Sequence, residues 1–247
     1  MSIRALFIDI DETILVATPQ ATAAKLFTAE PMFDVMAEAA VRFAGLSEAE
    51  ARRRIDHINT HVSWWHWSDF IVELELEPAQ FWELAYERHR QLYRPSGPEL
   101  GAALGELQAA GYGLYITSNN PSSGILHKLR LAGLGTIQGC ALFSQFLGAT
   151  ELHAMKWEPR YWRKALAHTG LSAHEVAVVG DNPRDDSEIP RSVGIPLCFL
   201  IDRRTPKLPP DSDAVRHIDT FARILPALRR RAAAQPRAVP AALASLA

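Results

Sequence analysis

Asp9 and Asp11 lie two residues apart at the end of the apolar run Leu6-Phe7-Ile8. On a strand, residues i and i+2 point to the same side, so the two carboxylates face one way. Burying two like charges that close is costly. A cation between them, or chemistry that uses them, is the usual reason such a pair is tolerated. Taken alone, the pair fits a solvated Asp-rich turn equally well. Other stretches bear on the choice: Ser118-Asn119 after an apolar run at 112–117, and Gly180-Asp181 with Asp185 and Asp186 after another at 176–179. Lys156 lies just before the helix that precedes the run at 176–179. In open parallel sheets, ligands bind beyond the carboxyl ends of the strands. Separate solvated loops account for each group alone and account poorly for their shared position. For Lys156, a plain surface lysine is the other reading.

The elements that must position these groups are legible as a change of pattern. From about residue 20 to 94 apolar residues recur at helical spacing, broken at Pro31, Gly45 and Pro78. Ser47 with Glu50 forms a capping box that opens a helix through Ala51, Ile55 and Ile58, and Glu77-Pro78 begins another running over 81–93. Arg52, Arg53 and Arg54 read as a solvated helix face. Trp64, Trp65 and Trp67 cannot all face one helical core, so at least one belongs at an interface or a pocket, while His66 reads as packed or exposed. Past a loop at 94–98, helices are expected at 100–110, 122–132 and 158–168, and strands at 112–117, 141–143, 176–179 and 197–201. Strands that are apolar throughout indicate a parallel sheet covered on both faces. The expectation is a doubly wound, Rossmann-like α/β core with an inserted α-helical cap. Residues 1–16 and 95–225 would form the core, 17–94 the cap, and the Ala- and Pro-rich residues 226–247 a flexible tail.

Bulk properties narrow the partners. The chain has 247 residues, 48% hydrophobic and 22% charged, with a formal net charge of -2. That balance offers no basic footprint for nucleic acid or anionic membrane, so a small molecule is the expected partner. Cys140 and Cys198 lack metal-ligand spacing and read as buried thiols in a reducing compartment. The opening residues do not read as a signal peptide, and no window reaches the length of a membrane span, so a cytoplasmic monomer or homodimer is expected.

The four stretches resemble the four motifs of the haloacid dehalogenase superfamily, a largely phosphatase family, over nearly the whole chain to about Leu225. Asp9-Ile10-Asp11-Glu12-Thr13 resembles its D-x-D-x-T motif, Ser118-Asn119 the second, Lys156 the third, and Gly180-Asp181 through Asp186 the fourth, G-D-x-x-x-x-D. Trp157 stands where that third motif usually has proline, and the approach from Ser144 to Lys156 is longer than the family commonly shows. One class of the family inserts its cap where the helical block lies.

The resemblance implies a Mg²⁺-dependent phosphatase that hydrolyses a small phosphorylated metabolite through an aspartyl-phosphate intermediate. Asp9 is the implied nucleophile and Asp11 the acid/base. Asp9, the backbone carbonyl of Asp11, and Asp181 are the implied Mg²⁺ ligands. Asp186 would bind the metal or a water on it, with Asp185 as the fallback. Lys156 and Ser118 would hold phosphoryl oxygens, with Thr13 and Asn119 also on the substrate side. Dehalogenases of the family lack the second acid, so Asp11 argues against carbon–halogen cleavage. A phosphomutase using the same motifs, and a non-catalytic binding protein keeping the fold, are the alternatives. Substrate choice falls to cap residues such as Lys25, Arg52, Arg53, Arg54 and Trp64 to Trp67.

Overall fold

A computed structural model describes residues 2–19, 21, 31–61, 67–136, 138–203 and 208–234. Lys25, Trp64, Trp65 and His66 lie outside them. In chain order the elements begin with β1 (Ala5–Ile8), β2 (Leu15–Ala17), α1 (Pro31–Phe43), α2 (Glu48–His61), α3 (Trp67–Glu73), α4 (Pro78–His89) and β3 (Tyr93–Pro95). Next come α5 (Leu100–Ala109), β4 (Gly113–Ser118), α6 (Ser122–Leu131), β5 (Gln145–Gly148), α7 (Ala149–Leu152) and α8 (Pro159–Thr169). The chain closes with β6 (Val176–Gly180), α9 (Ile189–Ser192), β7 (Cys198–Ile201), β8 (Val215–Ile218) and α10 (Ile224–Ala234).

Six strands pair in the order β5-β4-β1-β6-β7-β8, parallel throughout. Alternation along the central strand shows why its sequence is apolar without a break. Leu6 and Ile8 pack with α5, α6 and α10 on one face, while Ala5 and Phe7 pack with Tyr161, Trp162 and Ala165 of α8 on the other. This is the Rossmann-like, doubly wound sheet that the apolar runs predict. The helices between 31 and 89 bury a separate core of their own, built from residues such as Met36, Ile55, Phe70, Trp67 and Phe81. The chain leaves the sheet through β2 and returns through β3, which pair antiparallel as a narrow ribbon.

Three local expectations are corrected. The run 141–143 is not a strand; β5 begins at Gln145, and Phe143 is buried from the preceding turn while Gln108 donates to the carbonyl of Ala141 at 3.2 Å. A short apolar run signals burial, which a turn satisfies as well as a strand. Ser47 does cap α2, its Oγ accepting from the Glu50 N–H at 3.2 Å, but the Glu50 carboxylate turns to Arg53 and Arg54. Finally, 226–234 is packed helix: Ile224, Leu225 and Leu228 of α10 are buried, and Pro226 sits in the first turn, where proline is tolerated. The expected tail therefore starts no earlier than 235, outside the described residues. Arg52, Arg53 and Arg54 are largely exposed and pair with Asp34, Glu48, Glu50 and Glu75. Both cysteines are free; Cys198 is buried and Cys140 half-buried. No described helix is long and apolar enough to cross a membrane.

Candidate active site

The sheet's central strand ends at Ile8, and the Asp9 N–H continues the ladder by donating to the Val179 carbonyl at 2.8 Å. This sets the Asp9 side chain at the carboxyl edge, between β4 and β6. The turn beyond it is tight: Ile14 and Leu15 both donate to the Ile10 carbonyl, and Glu12 takes the left-handed conformation at φ 52°. Such a backbone is unusual for a residue with a side chain and needs support. Arg203, beyond β7, supplies it by donating to the carbonyls of Glu12 at 2.7 Å and Thr13 at 3.0 Å.

Lys156 reaches Asp9 from the loop between α7 and α8. Its ammonium lies 2.5 Å from Asp9 Oδ1 and 2.6 Å from Asp186 Oδ1, and its side chain is 4% exposed. The lysine is gripped through its own backbone. Its N–H donates to Asn119 Oδ1 at 2.8 Å, and its carbonyl accepts from Trp162 Nε1 at 2.9 Å. Asp186 is fully buried because β6 ends in Gly180: a Cβ there would fall 2.1 Å from Asp186 Cγ. Asp186 Oδ2 accepts from the Asn182 N–H at 3.1 Å, whereas Oδ1, though beside the ammonium, has no aligned donor among the described residues.

Asp9, Asp181 and Asp186 each bring a carboxylate oxygen within 4.8 Å of the others. Asp9 and Asp186 share the ammonium of Lys156, while the half-buried Asp181, which also acts on Arg203, completes the group of three carboxylates. Burial, then Asp186 and Asp11, push the Asp9 carboxyl upward against the pull of Lys156. Burial would lower Lys156, but Asp186 and Asp9 hold it above the ordinary lysine value. An all-oxygen donor set of three converging carboxylates fits a hard divalent ion.

The remaining expected residues separate by position. Ser118 Oγ, buried at the end of β4, accepts from both the backbone N–H of Asn120 at 3.1 Å and its amide at 3.0 Å. Asp11 adds no side-chain oxygen to the cluster; its carboxylate meets Lys128 Nζ at 2.5 Å and Asn120 Nδ2 at 2.8 Å. Asn119 accepts the Lys156 backbone N–H on its amide oxygen. Thr13 is fully buried and its hydroxyl has no hydrogen-bond partner among the described residues. Asp185 is outside the three-carboxylate cluster, its carboxyl raised by burial. Lys128, Asn120 and Arg203 were not singled out by sequence. Asn120 adjoins Ser118-Asn119 and could have been; Lys128 reads as an ordinary lysine in the last turn of a helix.

Comparison with known proteins places this geometry. Residues 3–194 match the family described as haloacid dehalogenase-like hydrolase. A phosphoserine phosphatase of Thermus thermophilus is 32% identical over 132 residues, 53% of this chain and 51% of that protein, so the match spans about half the relative's length. A HAD phosphatase from Thermococcus onnurineus superposes with a TM-score of 0.57 at 26% identity, covering 92% of this chain and 98% of that one. A 2-haloacid dehalogenase from Pseudomonas syringae pv. Tomato, at 19% identity and TM-score 0.56, covers 93% and 99%. That last likeness concerns the fold alone.

Proposed function

The chain belongs to the haloacid dehalogenase-like hydrolases, and from that premise we propose that it is a Mg²⁺-dependent phosphatase that hydrolyses a small phosphomonoester through an aspartyl-phosphate on Asp9. The observation that carries this reading is the pairing of Asp9, set against Lys156 and the other two carboxylates, with a second acid, Asp11, directed elsewhere. The phosphatase activity of the Thermus thermophilus relative supports it.

Asp9, Asp181 and Asp186 would hold the ion, which when bound supplies the positive charge that lets a carboxylate and a phosphate dianion approach. An oxygen of Asp9 attacks phosphorus while the ester P–O bond breaks. Asp11 gives its proton to the departing oxygen, then accepts one from the water that displaces phosphate from Asp9. Lys156, fixed by Asn119 and Trp162, stands where charge spreads over the phosphoryl oxygens. Ser118 Oγ already accepts two hydrogen bonds from Asn120, which leaves its own hydrogen to donate to a phosphoryl oxygen. The helical insert, joined through the β2–β3 ribbon, acts as the cap that closes over the substrate and excludes water. The fold-level likeness to a dehalogenase does not extend to the chemistry, because carbon–halogen cleavage has no use for a second acid at Asp11.

Asp9→Asn should abolish Mg²⁺-dependent phosphate release from p-nitrophenyl phosphate while leaving the circular dichroism spectrum unchanged. Wild-type turnover in that variant would remove Asp9 from the nucleophile's role.

A further inference from the structure

We propose that Lys128, acting with Asn120, is a positioning residue that sets the orientation of the acid/base Asp11; the inference rests on the phosphatase reading above. The Asp11 side chain is 49% exposed and sits on the left-handed turn at Glu12, so packing does not fix its rotation. Two donors do. Lys128 Nζ holds Oδ1 at 2.5 Å and Asn120 Nδ2 holds Oδ2 at 2.8 Å, so both oxygens are engaged and the plane of the carboxyl group is determined. Asn120 is itself locked, because its Oδ1 accepts from Lys128 at 3.2 Å and its Nδ2 also donates to Ser118 Oγ at 3.0 Å.

Stability is a poor reason for this arrangement. A partly exposed ion pair contributes little to stability. Lys128 instead joins three segments that meet at the site: the first turn after β1, the end of β4, and α6. The helix that carries it also carries the insert. Gly124 of α6 lies so close to Trp67 that a Cβ would fall 2.9 Å from the indole nitrogen. His127 meets His89 of α4 at 2.9 Å, and Arg130 grips Glu83 through two contacts of 2.9 Å. The position of the acid is thereby tied to the helix on which the insert is docked.

The test exploits the need for a proton. An alkoxide leaves only when protonated, whereas p-nitrophenolate leaves without help, so a misplaced acid penalises one ester and largely spares the other. The full chain is assayed with Mg²⁺ on p-nitrophenyl phosphate and on the fastest-turned-over of phosphoserine, phosphoglycolate and glycerol phosphate. In Lys128→Met, kcat on the alkyl ester should fall about tenfold or more relative to kcat on p-nitrophenyl phosphate, with KM little changed. Lys128→Arg should recover much of that ratio. Asn120→Ala should shift it the same way, and supplies the comparison if Lys128→Met does not fold. An unchanged ratio in both, with wild-type turnover still abolished by Asp9→Asn, overturns the positioning role and leaves the phosphatase reading standing. Absence of any Asp9-dependent turnover of these esters in the wild type overturns both.

Discussion

A buried carboxylate at the end of a central strand is useful only if something nearby neutralises it, and here one ammonium is shared between two carboxylates. Lys156 serves Asp9 and Asp186 at once, while Asp181 adds a third negative group. The arrangement depends on a residue with no side chain. Gly180 leaves the space in which the Asp186 carboxyl lies, and a methyl group there would overlap Asp186 Cγ at 2.1 Å. Gly180→Ala should therefore displace Asp186 and raise the Mg²⁺ concentration needed for half-maximal phosphatase activity, with an unchanged circular dichroism spectrum showing that the sheet is kept. A metal titration curve that superposes on the wild type's would show that Asp186 does not serve the ion. Residue types and spacing made Asp9, Asp181, Asp186 and Lys156 legible in the sequence, because each follows or precedes an apolar run with a recognisable motif. Thr13 and Asn119 were legible as neighbours but not as to role: which way a side chain points at the end of a strand depends on the turn that follows.

At the scale of elements, α6 is where sequence was least informative. Its Lys128 and His127 look alike in a helical pattern, as polar residues among apolar ones, and only the folded chain shows that one meets Asp11 while the other is buried against α4. The His127 imidazole is held well below its ordinary pKa, first by burial and then by His89, Lys128 and Arg130. The folded protein thus keeps His127 neutral at a pH where the unfolded chain takes up a proton. Its contribution to stability is complete above the ordinary imidazole range, about pH 6.5, and is lost as the pH falls below it. The urea midpoint should drop between pH 7.5 and 5.5, and His127→Gln, which does not titrate, should reduce the slope of that drop; equal slopes would mean that His127 is charged in the fold. At the other end of the chain, α10 was missed for a different reason. Proline and alanine composition argued for a tail, whereas Ile224, Leu225 and Leu228 provide a narrow apolar stripe that suffices once a sheet face is there to receive it.

The whole molecule is a six-stranded parallel sheet that brings its reactive groups to one edge, and a helical insert with a separate core joined to it through β2 and β3. The change of periodicity from helical to alternating helix and strand near residue 94 was legible. The ribbon itself was not, since three-residue strands are too short to leave a pattern. Nor was β8, an edge strand whose Arg216 and His217 are half-exposed. The proposed reaction turns on one atom pair, an Asp9 oxygen and the phosphorus it would attack. Acid-quenching the enzyme during turnover of p-nitrophenyl phosphate, reducing with borohydride and sequencing the peptides by mass spectrometry tests that bond directly, because borohydride converts an aspartyl-phosphate to homoserine. Homoserine at position 9, formed only when substrate is present, is the predicted result; an unmodified Asp9 with the label on another residue, or on none while turnover proceeds, would contradict it.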